Sequence, residues 1–190
     1  MAAGKSEALL AFARLGAATV SADQLVHDLL DREPLSGRIR ERWGDSAFDG
    51  DRVDRMAVGE RVFSDPGELA WLEGEVHPLV RGEIASWVRE ARGEIDVAVV
   101  EVPLLFESEF HDRFDSTVAI VADEETRRAR AEARGHAGLE GREERQLSQD
   151  EKAALAAHVV VNDGTTSELE EKLRQVLVEL GVRFPADPAG

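Results

Sequence analysis

Three short, unbroken apolar runs constrain this chain more than any other feature: Val97-Ala98-Val99-Val100, Thr117-Val118-Ala119-Ile120-Val121 and Val159-Val160-Val161. Runs without polar alternation suit strands covered on both faces, as in a parallel sheet. Helix-type stretches separate them, and that alternation predicts an α/β sheet dressed with helices. The first run extends to strand limits of Ile95–Val102. A further short strand is predicted over Ala17–Val20.

The remaining sequence reads as helix. Lys5–Leu15 forms one, with Leu9, Leu10, Phe12 and Ala13 as candidate core and Leu15-Gly16 as its stop. Ser21 or Asp23 caps a second, ending near Leu30. From Pro34 to Arg92 apolar residues recur at helical spacing, with Pro66 and Pro78 placed at helix starts. This predicts a helical insertion at about 31–94. Asp123 caps a helix reaching about Arg134. Ser167–Leu180 carries Leu169, Leu173, Val176, Leu177 and Leu180 on one stripe. A single domain over 1–183 is expected, with 184–190 a loose tail.

Gly4-Lys5-Ser6 opens the first helix. Glycine, lysine and a hydroxyl residue at a helix N-terminus form the second half of a phosphate cradle, G-x-x-x-x-G-K-[ST]. Free N–H groups and the helix dipole attract phosphate there, and glycine lets the backbone come close. Lys5 would bring a point charge to the β- and γ-phosphates. The Ser6 hydroxyl would serve as a Mg²⁺ ligand. Taken alone, the tripeptide fits a frayed terminus equally well.

Composition narrows the partners. The net charge of −16 repels polyanions, which argues against a nucleic-acid binder. Lysine occurs only at Lys5, Lys152 and Lys172, so a lysine at the cradle stands out. With no cysteine, disulfides, thiolate catalysis and cysteine–zinc sites are excluded. No run of membrane-spanning length and no secretory leader is evident, so a cytoplasmic location is expected.

In this acidic chain residues 127–152 hold Arg127, Arg128, Arg130, Arg134, Arg142 and Arg145, interrupted by Gly135, Gly138 and Gly141. Two readings stand: a solvated charged helix pair, or an arginine-bearing lid over a triphosphate.

Ordered along the chain, further motifs carry a family resemblance. Leu15-Gly16-Ala17 precedes Ser21-Ala22-Asp23; Phe63-Ser64-Asp65-Pro66 precedes His77-Pro78-Leu79. Val102-Pro103-Leu104-Leu105-Phe106-Glu107 follows, then Arg142-x-x-x-Gln146, Lys152 and Asn162-x-Gly164. With Ala2-Ala3-Gly4-Lys5-Ser6, this set resembles dephospho-coenzyme A kinase from Met1 to about Leu180. The resemblance implies a three-layer P-loop fold like the nucleoside-monophosphate kinases, with a helical substrate-binding insertion and an arginine-rich lid. It implies transfer of the ATP γ-phosphoryl group to the ribose 3′-hydroxyl of dephospho-CoA, with Mg²⁺.

Under that resemblance Ala2, Ala3, Gly4, Lys5, Ser6, Arg142, Asn162 and Gly164 bind ATP, the last two near the adenine. Lys5, Asp23 and Arg130 are catalytic, with Asp23 accepting the hydroxyl proton; a plain helix cap is its alternative. Asp23, His77, Arg81, Leu104, Leu105, Phe106 and Glu107 bind the acceptor. A cap or core role stays open for His77, and plain packing for Phe106. Ser6 and Glu101 hold the metal. Two departures occur: Ser21 stands where the family has a first Asp, and His158 replaces an acidic residue before the last strand. The resemblance also implies a central strand and the first cradle glycine ahead of Met1, between the strands at 97–102 and 117–121. A longer natural chain is therefore expected. Alternatives are a shortened relative that binds nucleotide or CoA without turnover, and another small-molecule P-loop kinase.

Overall fold

The computed structural model describes residues 3–91, 95–133 and 146–184. They fall into two compact units, residues 1–19 with 93–190, and residues 20–92. Strand β1 (Ala18–Ser21) crosses the division.

The first unit opens with helix α1 (Lys5–Arg14), capped by Gly4 in the left-handed region at φ 93°. Its buried face is Ala8, Ala11 and Phe12; of the expected Leu9, Leu10, Phe12 and Ala13, only Phe12 is buried. Leu10 is 56% exposed. The stripe is set by helix α8 (Thr166–Glu179), against which α1 packs. Two alanines let the helix axes approach, and Phe12 fills the space with Val160, Leu169, Leu173 and Leu177. That α8 stripe is as predicted, except that Leu180 lies outside the helix and is exposed. Thr165 and Glu168 close α8 with a reciprocal capping box.

Strands β4 (Ala98–Glu101), β5 (Val118–Val121) and β6 (His158–Val161) match the three apolar runs. β5 and β6 pair in parallel from Val118 opposite His158 to Val121 opposite Val161. β4 pairs with β1, and the Ala18 N–H donates to the Val97 carbonyl at 3.0 Å. Among the described residues no ladder joins β4 to β5. The expectation of burial on both faces fails for β6: Val160 is buried by α8, while Val159 and Val161 are each 46% exposed.

Helix α6 (Glu124–Ala133) follows β5, with Asp123 capping it through the Thr126 N–H at 2.6 Å. Helix α7 (Gln149–Leu155) starts at Ser148, which forms a second capping box with Glu151. Both boxes follow the [ST]-x-x-E pattern.

In the second unit α2 (Ala22–Leu30), α3 (Leu35–Trp43), α4 (Arg55–Ser64) and α5 (Pro66–Ala91) form the expected helical insertion. Its core includes Leu29, Leu30, Leu35, Ile39, Trp43, Val58, Val62, Val76, Val80 and Ile84. Glu68 accepts from the Trp43 indole at 2.6 Å and from two Arg42 nitrogens at 2.7 and 3.0 Å. Two sequence expectations need correction here. A small antiparallel hairpin, β2 (Phe48–Asp49) with β3 (Arg52–Val53), interrupts the helices, turned by Gly50 at φ 62°. Met56 and Phe63, two of the apolar residues that recur at helical spacing, are exposed. Pro66 does start a helix, but Pro78 lies inside α5. Val76, Val80 and Ile84 carry the helix across the missing N–H, because their burial outweighs one lost bond. No helix among the described residues is long and apolar enough to cross a membrane.

Candidate active site

The turn into α1 draws together residues that lie far apart in sequence. Asn162, at the carboxyl end of β6, is only 4% exposed, the one buried polar residue among those described. Its Nδ2 donates to the Ala3 carbonyl at 2.9 Å. Its own carbonyl accepts from Nη1 of Arg130 on α6 at 2.9 Å, and Arg130 Nη2 lies 3.5 Å from its Oδ1. Ala3, Gly4, Arg130 and Asn162 therefore form one connected polar cluster at the N-terminus of α1. A Cβ on Gly4 would collide with the Asn162 amide, so glycine is required by space as well as by its positive φ.

Lys5 and Ser6 are the first two residues of α1, with Ser6 exposed. Gly164 lies beside the cap of α8. A side chain there would strike the Glu168 carboxylate, which is engaged in the α8 cap, so its bareness protects a helix terminus. Ala2 and Arg142, with residues 134–145 of the expected lid, lie outside the described residues.

Glu101 ends β4, as expected. Beyond it the chain coils tightly through Leu104, Leu105 and Phe106, all partly buried. Here Ser108 N–H donates to the Leu104 carbonyl at 3.0 Å and Phe110 N–H to the Leu105 carbonyl at 3.1 Å. Phe106 stands beside the His111 ring, with centroids 5.4 Å apart. Glu107 Oε1 accepts from the Leu147 N–H and pairs with Lys152 Nζ, each at 2.9 Å. Burial pushes the Glu107 carboxyl up. The Lys152 hydrogen bond, two backbone N–H groups and the Lys152 charge outweigh this and hold it below the usual carboxylate range.

In the second unit Asp23 is exposed in the first turn of α2, directly after β1. Ser21, not Asp23, holds the cap position, without a side-chain cap bond. His77 and Arg81 are one turn apart on α5, within the helix and not at its start.

Sequence reasoning missed Gln149 and Asp163. The Gln149 side-chain amide accepts from the Ala122 N–H at 2.9 Å and donates to the Ala122 carbonyl at 3.0 Å, acting as a surrogate strand neighbour. Asp163 accepts from the Asp123 N–H at 2.8 Å. No local pattern announces either contact. A cavity of about 340 Å³ sits by Leu15–Ala17, Ile95–Val97, Leu177 and Val182–Phe184, and none of the expected site residues line it.

Comparison with known proteins bears directly on this arrangement. A family model described as dephospho-CoA kinase matches residues 1–168. A dephospho-CoA kinase of Protochlamydia amoebophila is 36% identical over 186 residues, covering 94% of this chain and 92% of its own. That of Symbiobacterium thermophilum is 39% identical over 171 residues, covering 87% and 72%. Among solved structures, a protein from Thermus thermophilus superimposes with a TM-score of 0.81 at 32% identity, covering 95% and 93%. Dephospho-CoA kinase from Campylobacter jejuni gives 0.69 at 26% identity, covering 95% and 92%. The α/β fold is that of the P-loop kinases, and the chain belongs to the dephospho-CoA kinase family.

Proposed function

We propose that this chain phosphorylates the ribose 3′-hydroxyl of dephospho-CoA, using ATP as donor. Family membership supports the reaction; the joining of Ala3, Arg130 and Asn162 at the N-terminus of α1 is the observation that carries the site. The α1 N–H groups and Lys5 receive the ATP phosphates. Arg130 meets the charge that develops as the phosphoryl group moves; its bond to the Asn162 carbonyl, at the same edge, supports this role. Asp23 takes the proton from the acceptor hydroxyl. In the first unit the loop carrying Leu104, Leu105 and Phe106 binds the acceptor; in the second unit His77 and Arg81 on α5 are the acceptor-binding residues.

The donors available suit Mg²⁺. Ser6 offers an exposed hydroxyl in the first turn of α1, and Glu101 a carboxylate at the end of β4. No cluster of three or more His, Cys, Asp or Glu side chains occurs among the described residues. Mg²⁺ in phosphoryl transfer needs only one or two protein oxygens, since phosphates and water supply the rest. When bound it neutralises charge on the β- and γ-oxygens. Asn162 keeps its structural bond while positioning Arg130.

The test is ADP release by the full chain with dephospho-CoA, adenosine monophosphate or shikimate as acceptor. ADP is expected with dephospho-CoA alone, with a phosphomonoester appearing at the 3′ position. Turnover with another acceptor instead would overturn the assignment. Thermal stabilisation by ATP and dephospho-CoA without any transfer would mark a binding protein. Asp23→Asn should lower kcat by about 10²–10⁴-fold while sparing ATP binding; an unchanged kcat removes Asp23 from its role.

A further inference from the structure

We infer that Lys152 and Glu107 form a positioning pair for the acceptor: Lys152, carried on a helix bolted to the end of β5, staples the loop that follows β4. The inference rests on the reading that this loop contributes to the dephospho-CoA site. It assigns a task to a lysine that neither the phosphate cradle nor the proton transfer uses.

The geometry is specific. Lys152 Nζ reaches the Pro103 carbonyl and Glu107 Oε1, each at 2.9 Å. Its two partners bracket Leu104, Leu105 and Phe106, so one ammonium group holds both ends of that segment. A third bond, from the Leu147 N–H to Glu107, ties the chain entering α7 to the same carboxylate. The side chains are largely shielded, 20% exposed for Lys152 and 14% for Glu107. This is unlike the surface pairs of the molecule, such as Arg14 with Glu7 at 44% and 36%.

The lysine is itself held firmly. Ser148 caps α7 through a reciprocal box with Glu151. Gln149, one turn before Lys152, grips both backbone groups of Ala122 at the end of β5. α7 thus spans from the β5 end to the β4 loop, across strands that share no ladder among the described residues. The second oxygen of Glu107, Oε2, is buried with no partner among the described residues. Among the described residues Lys152 is the cation paired with this carboxylate, so losing the lysine leaves a part-buried anion held by backbone N–H groups alone. A lysine rather than an arginine suits the site, because a compact ammonium can serve a carbonyl and a carboxylate on different sides.

The test compares Lys152→Met, Lys152→Arg and the double variant Glu107→Gln/Lys152→Met in the full chain. Calorimetric Kd for dephospho-CoA and for ATP is read beside the melting temperature, with Phe106→Ala as the control on the loop. Lys152→Met is expected to weaken dephospho-CoA at least tenfold while the ATP Kd stays within twofold, and Lys152→Arg to recover part of the loss. The double variant, having no stranded charge, should regain melting temperature but not acceptor affinity, because Pro103 still lacks its donor. Recovery of both would mean that the pair only stabilises the fold, and the inference fails. So it does if Lys152→Met leaves dephospho-CoA binding unchanged while Phe106→Ala weakens it. If neither variant changes acceptor binding, the loop does not serve the acceptor, and the underlying reading falls as well. Should Lys152→Met not fold, the double variant alone decides: normal acceptor affinity overturns the staple.

Discussion

At the scale of single residues the cradle depends on one buried amide. Asn162 supplies the hydrogen bond that Ala3 would otherwise lack, and its carbonyl holds Arg130. Replacing it by alanine leaves the part-buried Ala3 carbonyl without this donor, at a cost of about 1 kcal/mol. Asn162→Ala should therefore lower the urea midpoint and weaken ATP binding together. Gly4→Ala should be as damaging, because its methyl group needs the space of the same amide. Combining them gives a sharper test. Removing the amide makes room for the methyl group, so the double variant should lose less than the two single losses combined, with a coupling of about 0.5–3 kcal/mol. Strict additivity would show that Gly4 is needed for its backbone angle alone.

At the scale of elements the instructive case is α5. Proline in a helix interior removes one N–H and costs about 3 kcal/mol against alanine. Pro78 is exposed, and the carbonyl it leaves without a partner belongs to Gly74. Pro78→Ala should raise stability by about 1–3 kcal/mol in urea unfolding, since nothing buried is lost. A fall instead would mean that the packing of Val76, Val80 and Ile84 is fitted to a proline-bent helix. The same element shows why its two halves read as separate helices in the sequence. His77-Pro78 is a sound local stop signal, and only burial on both sides of it overrides the signal.

For the whole molecule the acidic surplus sets the response to pH. Desolvation raises the Glu107 carboxyl, but Lys152 and the backbone N–H groups lower it further, so its folded value lies below the ordinary one. Glu68 is lowered by hydrogen bonds from Arg42 and Trp43. Glu151 is lowered by its bonds from Ser148, and Asp123 by its cap bond to Thr126. A depressed carboxylate takes up fewer protons folded than unfolded. Its contribution is full above the ordinary value of about 4.3 for Glu and is lost as the pH falls through the folded value. Stability should thus be level near neutrality and decline below about pH 4.5. Glu107→Gln should make that decline shallower, measured by urea unfolding at stepped pH. An unchanged slope would show that Glu107 is not charged in the folded protein.

The sequence by itself determined the parts that depend on local physics. Apolar runs located β4, β5 and β6, the leucine stripe located α8, and Gly4-Lys5-Ser6 marked the start of α1 with its open N–H groups. These features need only neighbours in the chain to be recognisable. The tertiary structure decided which face of α1 is buried, because α8 and not α1 sets that surface. It also decided that Val159 and Val161 are exposed, that Gly164 spares a helix cap, and that Asn162, Arg130 and Ala3 share one network. Likewise it brought Lys152 onto Glu107, 45 positions away by their numbers. Hydrogen bonds of that span leave no periodic trace, since their partners are selected by packing in space and not by spacing along the chain.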